Sequence, residues 1–263
     1  MSRHLPLIAL GLGAFLAFLV RLFPAETALR WFAPNNLRAN DISGTIWSGS
    51  AQFVSIDTFA MRDLRWEIDA LPLLLMRLGG AAQARLQNGF ADTQFSISGE
   101  SVELRNLQLS TSVATLSAVL PVSGASGAVS TQFSELDLER VVAQINGQAA
   151  EIMWPVSANG TIRISDLLVE PYAGLGNQLI PLGSYELDFA DTAEESIQAQ
   201  IRDLGGPLEF DGTLELSPSR EYLLEGRIRT RADAPQSLAQ GLNFMTGEPG
   251  ADGWRVFDYP GSL

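Results

Sequence analysis

The chain has no cysteine and no lysine, and its only histidine is His4. Each absence removes a class of chemistry. Without cysteine there are no disulfide scaffolds, thiol nucleophiles or thiolate metal sites. One histidine in the amino tail supports neither an imidazole-based zinc site nor a Ser-His-Asp triad. Charged residues make up only 18% of the 263 residues, below the ~25% usual for soluble domains. All 17 basic residues are arginines, set against 30 acids for a formal net charge of −13. That balance is the wrong footprint for nucleic acid, and no nucleic-acid partner is expected.

What the chain does have begins with an apolar run. Leu5–Val20 carries no charge, and Leu22–Phe23 extend the run past Arg21. A bilayer core needs about 20 apolar residues, and a terminal arginine can snorkel to the headgroups. The alternative is a cleaved signal peptide with Arg3 as its basic region. Arg21, Leu22 and Phe23 stand where small cleavage-site residues are wanted, so the segment is read as a retained transmembrane helix. The arginine count opposes the orientation adopted below. Arg3 lies on one side of the run, while Arg21, Arg30 and Arg38 lie on the other and favour a cytoplasmic carboxyl side. Long domains cross largely regardless of charge, which weakens that rule here. The expected layout is a tail and anchor at 1–23, a short membrane-proximal helix and linker at 24–39, and a β-rich domain at 40–263.

Within the linker, Ala25–Phe32 has a helical pattern, opened by Pro24 and closed by Pro34. From about Asn40 the hydrophobic period becomes two. Leu64, Trp66 and Ile68 alternate with Arg65, Glu67 and Asp69, and Tyr185, Leu187 and Phe189 alternate with Glu186 and Asp188. Phe210, Leu214 and Leu216 oppose Glu209, Asp211 and Glu215, while Arg227, Arg229 and Arg231 share a polar phase opposite Ile228 and Thr230. Such alternation predicts half-buried antiparallel strands with one wet face. The phase breaks between Leu104 and Leu107, which places a bulge or turn near Arg105–Asn106. The fold class expected is all-β: one elongated, curved, mostly antiparallel sheet after a single amino-terminal transmembrane helix, with short accessory helices.

Smaller features refine that expectation. The words GTIWSG (44–49), GTIRIS (160–165) and GTLELS (212–217) recur weakly. They read either as the common Gly-Thr-apolar start of a strand or as a repeated meander of similar strands. Leu71–Leu78 is read as a short apolar helix plugging the core, with a membrane-dipping element as the alternative, and Pro235–Leu242 as a second short helix. The small residues of Val122–Ala128 suggest a division of the sheet into two lobes. Trp47 and Trp66 are expected to pack structurally in the first strands.

Searches for a reactive constellation return nothing, and no catalytic, cofactor-binding or metal-binding residue is assigned. Gly11-x-Gly13 lies in the apolar run and lacks the rest of a dinucleotide motif. Ala173–Gly176 is not followed by a phosphate-loop lysine. Asp188, Asp191, Glu194 and Glu195 lack calcium-loop spacing and read as a solvated turn. No carboxylate pair stands out for glycoside hydrolysis. Asn159-Gly160-Thr161 matches a glycosylation sequon, a short and common pattern. The three strand arginines are read as solvated cross-strand partners, with an acidic partner or a lipid phosphate as the alternative.

Several of these words together resemble a known family. An apolar anchor is followed by Gly44-Thr45-Ile46-Trp47-Ser48-Gly49-Ser50-Ala51. Next comes Leu64-Arg65-Trp66 leading into the Leu71–Leu78 segment, and the chain closes on Gly250–Leu263 with DGWRVFDYPGSL at its end. This layout resembles the N component of the type II (general) secretion pathway, GspN. The resemblance implies a non-enzymatic inner-membrane protein with one anchor and a periplasmic β domain. It would be an accessory to export of folded proteins, needing no cofactor and having other secretion components and the inner membrane as partners. The rival it leaves open is an AsmA-like anchored β-groove protein that binds or transfers lipid. A hydrolase would need converging carboxylates in a pocket.

Overall fold

Alternating apolar and polar residues build a single antiparallel sheet. The computed structural model describes residues 11, 15, 18–34, 36–56, 59–116, 124–145, 148–170, 179–190 and 196–262. Thirteen strands follow one another in space in chain order, each hydrogen-bonded to the next. They are β1 (Leu37–Gly44), β2 (Ser48–Ile56), β3 (Phe59–Asp69), β4 (Leu78–Leu86), β5 (Gly89–Ser98), β6 (Ser101–Ser112) and β7 (Ala125–Ile145). After these come β8 (Gln148–Val169), β9 (Ile180–Ala190), β10 (Ile197–Gly205), β11 (Leu208–Leu216), β12 (Glu221–Thr230) and β13 (Arg255–Ser262). Among the described residues, four short helices accompany them beyond the helical residues at the amino end: α1 (Ala25–Phe32), α2 (Ala70–Leu73), α3 (Val113–Leu116) and α4 (Gln236–Thr246). The all-β expectation holds. So does the helical reading of Ala25–Phe32, while the second helix runs to Thr246 rather than Leu242. β1 opens at Leu37, inside the segment read as linker. Among the described residues no helix is long and apolar enough to cross a membrane. The Leu5–Phe23 reading falls largely outside the described residues; those described at 11, 15 and 18–21 are helical.

The sheet curls rather than lying flat. Adjacent strands sit ~4.8 Å apart, so β8 and β11 would be about 14 Å apart in a flat sheet. Yet the Trp154 indole of β8 donates to the Ser217 carbonyl at the end of β11 (3.2 Å), and Arg220 in the next turn donates to the Val142 carbonyl of β7 (2.8 Å). The arm that reaches over belongs to the longest strands, β7 with 21 residues and β8 with 22. Under this curl lies the main core, Phe133, Ala158, Phe189, Ile197 and Ala199, with Leu107, Leu136 and Leu214 packed against it. The Phe133 and Phe189 rings meet at 5.4 Å across β8 because Gly160 lies between them in the register. A second cluster forms where Leu238 and Leu242 of α4 cover Leu208 and Ile228. Arg255 holds the end of that helix, donating to the Gly247 carbonyl (3.0 Å) and to the Asn243 side chain, as suits a cation at a helix carboxyl end.

Bulges supply part of the bending. The phase break read near Arg105–Asn106 is one of them: β6 carries one residue more than β5 between the pairs Asp92–Gln108 and Gln94–Arg105, and Asn106 has φ 51°. Asp41, Asp63 and Asp166 take the same left-handed conformation inside β1, β3 and β8. Aspartate and asparagine tolerate it better than other non-glycine residues because their short polar groups bond locally.

Three expectations are corrected. The Val122–Ala128 segment does not split the sheet, because β6 and β7 pair continuously from Ser101–Glu139 to Ser112–Ala128; Val122 and Ser123 lie outside the described residues. The recurring glycine words do not share a structural place. Gly44 ends a strand at φ 89°, whereas Gly160 and Gly212 lie in mid-strand. Leu71–Leu78 is no core plug: Leu71, Leu74, Leu75 and Met76 are 78%, 82%, 76% and 92% exposed. Pro72 folds back toward Gly79, and the leucines turn outward.

Candidate functional site

The two faces of the sheet differ so completely that the candidate site is a surface rather than a pocket. One register row across β4 to β13 reads Ala84, Ala91, Leu109, Thr131, Ile162, Leu187, Ile201, Gly212, Gly226 and Phe257. The neighbouring row, one residue along each strand, reads Gln83, Asp92, Gln108, Gln132, Thr161, Asp188, Gln200, Thr213, Glu225 and Asp258. Successive residues of a strand point to opposite faces, so the first row lines an apolar face and the second a polar one. Burial of the apolar face is uneven. Of the buried hydrophobic residues, those from Val129 to Leu242 outnumber those before them, and both buried clusters lie there, one of them covered by α4. Over β3 to β5, by contrast, Leu64, Trp66, Ile68 and Phe95 are only half-buried, and the apolar face is more open.

The polar face is laced with cross-strand ion pairs. Arg163 meets Glu186 (2.5 Å), Arg202 meets Asp188 (2.9 Å), Arg105 meets Glu135 (2.9 Å) and Arg85 meets Asp63 (3.1 Å). The arginine row of β12 behaves as its alternation predicts, with Arg227 on Asp211 (2.8 Å), Arg229 on Glu209 (2.7 Å) and Arg231 on Asp203. Trp254 lies beneath two of these guanidinium groups, 4.7 and 4.4 Å from ring centre to Arg227 and Arg229. The hydrogen bond from Arg229 holds the Glu209 carboxyl below its ordinary range. Solvent-exposed pairs of this kind contribute about 0–1 kcal/mol each. Their effect is on register and solubility more than on stability.

Asp137 is the exception on this face. Its Oδ1 is buried with no hydrogen-bond partner. Burial pushes its carboxyl up, and the charges of Glu135 and Glu103 add to that against the opposing pull of Arg105. A raised folded-state pKa means that folding favours the protonated acid, so stability falls as pH rises from the unfolded carboxyl value through the folded one. Asp137→Asn is therefore expected to raise the urea midpoint at pH 7, because it removes the charge that folding disfavours. At pH 3 the variant and the parent should converge. A lower midpoint at pH 7 contradicts the assignment.

Among the described residues no three His, Cys, Asp or Glu side chains lie together as a metal site. Asp191, Glu194 and Glu195, like Ala173–Gly176, lie outside the described residues. The Asn159 sequon falls within β8 rather than in a loop. The Tyr185 phenol, pushed up by burial and then by the Asp203 charge, lies within bonding distance of the Leu182 and Leu208 carbonyls (2.6 and 3.2 Å). That is a structural tether. An open depression of about 750 Å³ lies between α1 and β1 and is lined by Glu26, Leu29, Ala39 and Ile42 among others.

Both edges of the sheet are paired on one side only. α1 packs beside β1, whereas β13 presents Val256 (84% exposed) and Tyr259 (61% exposed) at its rim. Trp47, read as packing in the first strands, lies instead in the β1–β2 turn, where its indole donates to the Val20 carbonyl at the end of the amino-terminal helix (2.8 Å). Trp66 packs as read: its ring covers Gly49 on β2, and its indole donates to the Ile46 carbonyl (3.2 Å). Sequence reasoning did not single out Trp154, Arg255 or the three aspartates with left-handed backbone. An aspartate inside a strand of otherwise regular period was the available signal.

Comparison with known proteins fits this architecture. The type II secretion system (T2SS), protein N family matches residues 35–258, nearly the whole sheet. The chain is similar to the type II secretion system protein N of Aeromonas hydrophila, with 24% identity over 265 residues and all of both chains covered. It is similar at 24% identity to the protein N of Pectobacterium carotovorum subsp. carotovorum, with 97% of each chain covered. The protein N of Vibrio cholerae is 25% identical, with 91% of each covered. No solved structure matches the chain. The resemblance carried by GTIWSG and the closing DGWRVFDYPGSL is therefore a true kinship: the chain belongs to the type II secretion system protein N family.

Proposed function

We propose that the chain is a non-enzymatic accessory component of the type II secretion machine, held in the inner membrane by Leu5–Phe23 with its sheet in the periplasm. The observation that carries this reading is the family match across nearly all of the sheet. The one-sided sheet supports it, because such a sheet has edges and faces to offer to partners. Contact with other secretion components then runs through the unpaired β13 edge, where backbone groups and the exposed Val256 and Tyr259 accept an added strand. A photo-crosslinking residue at Asp258 in cells is expected to trap a component of the secretion machine, identified by mass, and deletion of the gene should reduce export of folded substrates. Unimpaired export together with no such adduct overturns the reading. For the topology, a periplasm-dependent reporter at the carboxyl end is expected to be active; a reporter active only in the cytoplasm is the opposing result.

A second reading has its own observation. The half-buried apolar face over β3 to β5 has the one-sided character of a surface that shelters acyl chains. On that reading the protein is an anchored β-groove protein that binds or transfers lipid. Lipid retained in stoichiometric amount by the purified full chain after detergent exchange favours it, and a lipid-free preparation removes it.

A further inference from the structure

We infer that the β3–β4 connection, residues Leu71–Met76, inserts into the same bilayer surface from which the amino-terminal apolar helix emerges. The inference rests on the reading of Leu5–Phe23 as a membrane helix. Three observations carry it.

The first is exposure. Leu71, Leu74, Leu75 and Met76 project from the sheet at 76% exposure or more, with no polar residue among positions 71–76. Scattered single apolar residues are normal on a surface, whereas a contiguous projecting cluster marks an interaction site.

The second is position. The helix end and this connection lie at one rim of the sheet and are joined through the β1–β2 turn. Trp47 donates its indole proton to the Val20 carbonyl (2.8 Å), and the Ile46 amide donates to the Phe23 carbonyl (3.1 Å). On the turn's other side the Ile68 amide donates to the Trp47 carbonyl (2.6 Å). Ile68 stands three residues before Leu71, a span of about 10 Å at most. Phe18 and Leu22, 68% and 62% exposed, thus share a rim with the projecting leucines.

The third is chemistry. The cluster is aliphatic apart from Pro72 and Met76, without the tryptophan, tyrosine and arginine that concentrate energy at protein interfaces. Hydrocarbon needs no such groups. Four or five buried aliphatic side chains beside a spanning helix would give the sheet a second point of membrane contact and fix its tilt.

The natural absence of cysteine makes the test clean. Leu74→Cys carries an environment-sensitive fluorophore on the full chain, reconstituted into phosphatidylethanolamine–phosphatidylglycerol vesicles. Quenching is read with doxyl-labelled lipid and, separately, with aqueous iodide. Phe15→Cys reports on the apolar helix, and Gln87→Cys, at the β4–β5 turn on the opposite rim, reports on solvent. The expected result is a blue-shifted emission at position 74, quenched by doxyl lipid about as strongly as at position 15 and protected from iodide. Iodide quenching at 74 like that at 87 overturns the inference. Protection from both quenchers, which indicates cover by protein, also overturns it. Position 15 reads the anchor separately: lipid quenching there with iodide quenching at 74 leaves the anchor standing and removes only the insertion.

Discussion

Phe133→Ala is expected to lower the unfolding free energy by about 3–5 kcal/mol, the range for emptying an aromatic site in a packed core. Phe133 is 6% exposed, at the centre of the cluster under the curl, with its ring against Phe189. Single domains have only about 5–15 kcal/mol to lose, so this one truncation removes a large share. Phe90→Ala is the comparison. Phe90 lies at the start of β5 and is 47% exposed, and its loss is expected to cost under about 1 kcal/mol. Urea titration of both variants followed by tryptophan fluorescence decides the matter. Equal losses would mean that the curl contributes no more than the open part of the sheet.

Gly160→Ala is expected to be nearly as costly, about 3 kcal/mol or more, although it adds one methyl group. A Cβ at Gly160 would stand 2.5 Å from the Phe133 Cα and 2.7 Å from its Cδ1, and closer still to the Gln132 carbonyl. Those are mostly backbone atoms of the neighbouring strand, so relief requires opening the β7–β8 ladder where the core is densest. Gly241→Ala should have the opposite sign. Gly241 lies inside α4 with nothing within 4 Å of its would-be Cβ, and alanine there should stabilise by about 0.5–1 kcal/mol through helix propensity. Opposite shifts of the urea midpoint in the two variants are the expected outcome. A neutral Gly160→Ala would show that β7 and β8 are more loosely joined than their register implies.

Much of this protein follows from its sequence by itself, for local reasons. A period of two over most of the chain requires antiparallel strands with one wet face, because alternate residues of a strand point opposite ways. The break between Leu104 and Leu107 located a bulge, because a one-residue insertion shifts every later side chain to the other face. The β12 arginines found the cross-strand acids that their phase predicted. The absence of cysteine, lysine and all but one histidine narrowed the chemistry before any fold was known. The words at the two ends of the chain identified the family.

Other features depend on what lies beside a residue in space, and only the tertiary structure decided them. Leu71–Leu78 has a composition equally fit for a core plug or an exposed apolar projection. Its place at the rim, with Pro72 turned in and the leucines out, chose the second. Gly44, Gly160 and Gly212 share a sequence word, yet one ends a strand, one makes room for two phenylalanine rings and one lies against Gly226 at the centre of β11. Trp47 and Trp154 have nothing in their local pattern to say that one joins a turn to the amino-terminal helix and the other fastens β8 to the end of β11. Sequence period is a statement about neighbours along one strand. The curl and the shared rim rest on contacts between residues 20 to 80 positions apart, and only the curvature and strand order of the sheet bring them together.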